Sequence, residues 1–218
     1  MFVINCKNYE EISGVKLLKL IKTVEKISRK YKIKIAVSPP QSMLSFASEK
    51  TSIPILAQHL DNAKVGSTTG YMIPEIVKGS KVDGSIINHS EHRLSKTDIQ
   101  DLIKRMRDLK LISVLCVKNV AEVKKYVNLK PDYIAIEPPQ LIGTGKAISK
   151  ERPSLISNAA KIVQKTKRTK LLCGAGIVSG ADVEKAIQLG SKGILVASGI
   201  IKSKNWEEII SDFAKAMV

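Results

Sequence analysis

Short apolar or β-branched runs alternate with segments of helical period along the whole chain. Eight runs read as strands: Phe2–Cys6, Ile33–Ser38, Ile55–Gln58, Ser85–His89, Ile112–Val117, Tyr133–Glu137, Lys170–Gly174 and Gly193–Ala197. They are short and continuously apolar, the pattern of parallel strands covered by helices. Helical segments fall between them. Glu10–Tyr31 places Val15, Leu18, Ile21 and Ile27 on one stripe, with lysines elsewhere. Ser95-Lys-Thr-Asp98 resembles a capping box ahead of Ile99, Leu102, Ile103 and Met106. Asn119 caps a short helix through Val127. Ser154–Lys167, Ser179–Leu189 and Asn205–Val218 complete the set, with shorter segments at Pro40–Ser48 and Met72–Lys78.

Eight βα units with no linker or low-complexity break predict one domain over residues 1–218: a closed (β/α)8 barrel, or TIM barrel, of eight parallel strands. Such barrels take ~250 residues, so this one is compact. An open doubly wound sheet is the alternative. In a barrel, chemistry gathers at the C-terminal strand ends, where the βα loops meet.

Composition narrows the function. Hydrophobic residues make up 44% of the chain, enough for a substantial core, and no apolar run approaches the ~20 residues of a membrane helix. Met1 leads directly into a strand-like run with no basic leader, so no signal peptide is read and a cytoplasmic protein is expected. Cys6, Cys116 and Cys173 each sit inside an apolar run, as buried free thiols do. There is no CxxC and no His/Cys cluster, so no metal is expected. The formal charge of +16 points to an anionic partner or to a lysine-rich solvated surface. Basic residues are spread over most helices and aromatics are only 4%, which disfavours nucleic-acid binding.

The strand ends carry the candidate chemistry. Strand one runs into Asn5-Cys6-Lys7-Asn8, and strand four into Asn88-His89-Ser90-Glu91-His92-Arg93. Strand six ends in Glu137, followed by Pro138-Pro139-Gln140-Leu141-Ile142-Gly143-Thr144-Gly145. A barrel brings an acid, an imidazole and an amine to one mouth. Those groups suit proton transfer next to a carbonyl: a carboxylate removes the proton, while imidazole and ammonium hold the developing oxyanion. Cys173-Gly-Ala-Gly-Ile177 and Val196-Ala-Ser-Gly-Ile200 are small and glycine-rich, and the loops after strands seven and eight commonly bind phosphate. Two prolines on one side and two glycines on the other give Glu137 the composition of a hinged lid.

Asn5-x-Lys7, Asn88-His-Ser-Glu91, Glu137-Pro-Pro and Ile142-Gly-Thr-Gly145 together resemble triosephosphate isomerase over essentially the whole chain, particularly its compact archaeal form. The resemblance implies interconversion of dihydroxyacetone phosphate and D-glyceraldehyde 3-phosphate through an enediol(ate), in glycolysis and gluconeogenesis, without cofactor. It implies Glu137 as the base, His89 as a neutral electrophile, Lys7 as the oxyanion's cation, and Glu91 as a buried acid holding Lys7. It implies Asn5 on the substrate, Ile142 and Gly143 reaching it from the lid, and Gly176, Ala197 and Ser198 gripping phosphate. It also implies a homotetramer or homodimer, with Gly66–Tyr71 as the segment that inserts beside a neighbour's active site. The chain departs from the family at Gln140, where archaeal members more often carry Glu, and at Gly174-Ala-Gly176, which lacks a serine of longer members. His59 and His92 read as structural or interface residues, and Trp206 as packing. The competing reading is another phosphate-binding barrel enzyme, an aldolase or an indole-forming synthase.

Overall fold

The structure is a computed structural model describing residues 1–218. In chain order the elements are β1 Phe2–Asn5, α1 Val15–Tyr31, β2 Ile35–Ser38, α2 Leu44–Ser48, β3 Leu56–Ala57, α3 Pro74–Gly79, β4 Gly84–Ile87, α4 Lys96–Asp108, β5 Ile112–Val117, α5 Val120–Tyr126, β6 Tyr133–Ile136, α6 Ile148–Glu151, α7 Pro153–Val163, β7 Lys170–Gly174, α8 Gly180–Gln188, β8 Ile194–Val196, α9 Ser198–Ile201 and α10 Trp206–Lys215. The strand pairs are parallel, in the order β2-β1-β8-β7-β6-β5-β4-β3. No helix is long and apolar enough to cross a membrane.

The eight strands form a barrel that is nearly, not fully, closed. The seam lies between β2 and β3, joined by a single bridge, Val37 to Ile55. Its cause is local. β3 is only two residues long, and Pro54 before it has no N–H to give. Side chains stitch the gap instead. The Gln58 amide donates to Lys7 O at 2.8 Å and Ser38 O at 3.3 Å, while Gln58 N–H donates to Gln41 Oε1 at 3.1 Å.

Strand alternation divides the core in two. Val3, Ala36, Leu56, Ile86, Val114, Cys116, Ala135, Leu172 and Leu195 point inward and fill the barrel, and every strand contributes. Their neighbours point outward against the helices, in a shell that includes Phe2, Ile4, Leu17, Ile134 and Phe213. The helix expected from Glu10 is broken. Glu10–Ile12 is a 3-10 turn, and Gly14, at φ 58°, separates it from α1. The helix expected from Ser154 to Lys167 begins at Pro153 and ends at Val163, preceded by the short α6. Ser95, Asn119, Ser179 and Asn205 cap α4, α5, α8 and α10, each accepting a backbone N–H through its side-chain oxygen.

Candidate active site

The inward alternation continues past the strand ends and builds the mouth. Val3 is inward, so Asn5 is inward. Ala135 places Glu137 inward by the same step, and Leu172 places Gly174 inward beside it. His89 breaks the rule. Ile86 is inward, so strict alternation would turn His89 away. Asn88 instead adopts a left-handed backbone at φ 59°, which re-aims the next side chain. Its amide pins that turn, donating to Cys116 O at 2.9 Å and accepting from Leu94 N–H at 3.1 Å. Lys7 is likewise left-handed, at φ 47°, and its N–H bonds Asn5 Oδ1 at 3.0 Å. With Ala175 at φ 72°, three non-glycine residues are held there beside the mouth, and they mark a backbone shaped for the site at some cost in strain.

One inner cavity collects Asn5, Lys7, His89, Glu137, Ile142, Gly143, Gly176, Ala197 and Ser198. Among the candidates read from the sequence, only Glu91 lies outside it, on the rim of a wider adjoining hollow of about 720 Å³. Glu91 is not the buried acid expected: its side chain is 59% exposed, because the loop after β4 lies at the solvent edge. It still holds Lys7, whose Nζ is 2.6 Å from Glu91 Oε1.

Glu137 and His89 are both buried, and His89 Nε2 lies 3.7 Å from Glu137 Oε2. The Glu91 N–H donates to His89 Nδ1 at 3.3 Å, which assigns the imidazole proton to Nε2, facing the cavity. Glu137 Oε2 is buried with no hydrogen-bond donor in the protein. Burial pushes the Glu137 carboxyl above the ordinary glutamate range; His89, the facing Cys116 thiol, Lys7 and Arg93 draw it partly back. Burial, reinforced by the Glu137 charge, drives the Cys116 and Cys173 thiols upward, so both stay protonated.

The lid runs from Pro138 into a 3-10 turn at Pro139–Leu141, then through Gly143 at φ 75° and Gly145 at φ 72°. Its far end is anchored where Ile148 N–H donates to Ala175 O at 3.3 Å. Gly176, at φ 70°, sits so close to the lid that a Cβ there would meet Lys146 O at 1.8 Å. At the foot of β8, Ile200 and Ile201 N–H both return to Ala197 O, which leaves the first N–H groups of α9 without intrahelical partners.

A family model, triosephosphate isomerase, matches residues 1–213. The chain belongs to the triosephosphate isomerase family, and it is an isomerase. The triosephosphate isomerase of Cenarchaeum symbiosum is 50% identical over 217 residues, covering 100% of this chain and 97% of the relative. That of Saccharolobus solfataricus is 43% identical, covering 98% and 94%. That of Methanocaldococcus jannaschii is 42% identical, covering 99% of each.

Four neighbours of the triosephosphate isomerase motifs take their places only in the fold. Gly174 leaves space for the Glu137 side chain, since a Cβ there would lie 2.5 Å from Glu137 Cγ and 2.6 Å from Oε1. Tyr9 joins the inner cavity, with Lys202 Nζ 5.2 Å from its ring centre. His59 and His92 stack at 3.6 Å in the wider hollow, with His59 Nε2 3.2 Å from Asp61 Oδ1. Burial and the His92 charge hold His59 below the usual histidine range. Strand parity is the sequence signal for Gly174; His59 and His92 read singly as structural or interface residues, and nothing in the sequence pairs them.

Proposed function

We propose that this isomerase interconverts dihydroxyacetone phosphate and D-glyceraldehyde 3-phosphate, with Glu137 as the base. The observation that carries the reading is the buried Glu137 carboxylate, its Oε2 without a protein donor and 3.7 Å from the Nε2 of a protonated-at-Nε2 imidazole. Glu137 takes a proton from the carbon next to the carbonyl. The C–H electron pair forms the carbon–carbon double bond, and the carbonyl oxygen becomes an enediolate oxygen. His89 Nε2–H and Lys7 hold that charge, and Asn5 orients the substrate. Glu137 then returns the proton to the adjacent carbon, and one hydroxyl proton moves between oxygens through His89. The substrate phosphate lies against Gly176, Ala197 and Ser198, where N–H groups are available. Nothing in the scheme requires a cofactor or metal.

Ile142 and Gly143 cover the substrate when the lid is shut. The inner cavity shares Asn5, Lys7, Tyr9 and His89 with the wider hollow, so substrate approaches Glu137 from there, and shutting the lid over it keeps water from the enediolate. The exposed Gly66–Tyr71 segment supports self-association as a homotetramer or homodimer: Val65 is 57% and Tyr71 56% exposed, beside the wider hollow. A single cytoplasmic domain completes the reading.

The test is a coupled assay with glyceraldehyde 3-phosphate on Glu137→Gln. The expected result is a kcat lower by at least ~10²-fold, with glycerol phosphate still bound. Unchanged activity would remove Glu137 as base. Borohydride trapping with substrate should give no adduct; a Lys adduct would favour an aldolase instead.

A further inference from the structure

The barrel's other face carries a feature the isomerase reading does not use. At the N-terminal ends of β7 and β8 lies a cavity of about 530 Å³, within the ~300–1,000 Å³ of small-ligand pockets. Its floor is apolar and sealed: Ala160, Val163 and Leu171 are buried, and Gly190 packs so tightly that a Cβ would meet Ala160 at 2.7 Å. Its rim carries Gln164, Lys167, Lys170 and Lys192, and no carboxylate lines it.

The donor inventory is one-sided. None of these lysines pairs with a carboxylate within 4.0 Å, whereas seven other Lys or Arg side chains do so elsewhere in the molecule. The hydroxyls of Thr166 and Thr169 are committed as donors to Val163 O and Pro131 O. The Gln164 amide and the three ammonium groups make no hydrogen bond within the protein, so four exposed donor side chains line the hollow uncommitted. Uncompensated like charges around a low-dielectric concavity concentrate counter-ions there.

We propose that this cavity is a second anion site, which takes a small polyphosphate through Gln164, Lys167, Lys170 and Lys192. Two observations define the class. Three lysines around one hollow call for more than one negative charge. No lining residue is aromatic, so nothing would stack on a nucleobase. The oxyanion itself, not a nucleoside, is what the site recognises. It sits at the far end of β7 from Gly174 and Gly176, so the two anion sites occupy opposite faces of the barrel.

The probe is inorganic triphosphate, titrated calorimetrically into the intact protein with the active site saturated by glycerol phosphate. One triphosphate should bind per chain, with affinity falling as salt rises. The Lys167→Gln/Lys170→Gln/Lys192→Gln variant should weaken binding at least ~10-fold, which is ~1.4 kcal/mol, while isomerase kcat stays within about twofold. A second triple variant, Lys19→Gln/Lys22→Gln/Lys215→Gln on α1 and α10, removes the same charge from exposed positions elsewhere. It should bind triphosphate within about twofold of the parent. Equal weakening in both triple variants would reduce the effect to net charge and overturn the site. No saturable binding by the parent would overturn it as well. Neither failure touches the assignment of Glu137, which the glyceraldehyde 3-phosphate assay tests separately.

Discussion

Gly174→Ala is the sharpest test of how the barrel positions its base. Gly174 has ordinary strand backbone, so alanine adds a methyl group without φ strain. That methyl would lie 2.5 Å from Glu137 Cγ, 2.6 Å from Oε1 and 2.8 Å from Cδ. Carbon atoms pack at ~3.5–4.0 Å, so the carboxylate must retreat by about 1 Å. A displacement of that size at the reacting group costs ~10²-fold in rate. The fold survives, because a side-chain tip beside a cavity can move and overpacking typically costs ~1–3 kcal/mol. The expected result is a kcat lower by about 10²-fold, with glycerol phosphate affinity within about threefold. In a Glu137→Asp background the shorter side chain withdraws from the methyl, so the added cost of Gly174→Ala should fall below about tenfold. A Gly174→Ala enzyme with kcat within threefold of the parent would show that the contact with β7 does not set the position of Glu137.

Four further outcomes follow from named contacts. Because burial raises the Glu137 pKa in the folded state, the native protein binds more protons than the unfolded chain between pH 4.5 and that raised value. Stability therefore falls as pH rises through this window, and Glu137→Gln should melt higher than the parent at neutral pH by calorimetry, with the gain vanishing toward pH 4.5. The same shift should place the acid limb of the kcat/KM profile above the ordinary glutamate range. Glu91→Gln removes an ion pair whose carboxylate is 59% exposed; exposed pairs contribute ~0.2–1 kcal/mol, so kcat/KM in the coupled assay should drop no more than about fivefold. Gln58→Leu strips Lys7 O of its donor at the seam; a lost buried partner costs ~1–3 kcal/mol, and at ~2–4 °C per kcal/mol the melting temperature should fall by several degrees.

The sequence alone determined the class of fold and named most of the residues that line the candidate site. Eight apolar runs separated by capped helices leave few ways to bury every strand, so the barrel follows from spacing and period. Asn5, Lys7, His89 and Glu137 are legible because each is a polar residue at the end of an apolar run, where a buried strand has no other use for it. Tertiary structure decided the rest. Nothing in Leu56-Ala57 announces that β3 is too short to seal the barrel, because ladder closure depends on where β2 lies beside it. Glu91 reads as a buried partner for Lys7, yet the exposure of a loop residue is set by what packs over it, and nothing does. Gly174 and Glu137 lie 37 residues apart in sequence, and only the register of β6 against β7 makes one the space that the other fills. The reason is general: hydrophobic period is a property of one segment, whereas closure, exposure and contact belong to pairs of segments the chain brings together only on folding.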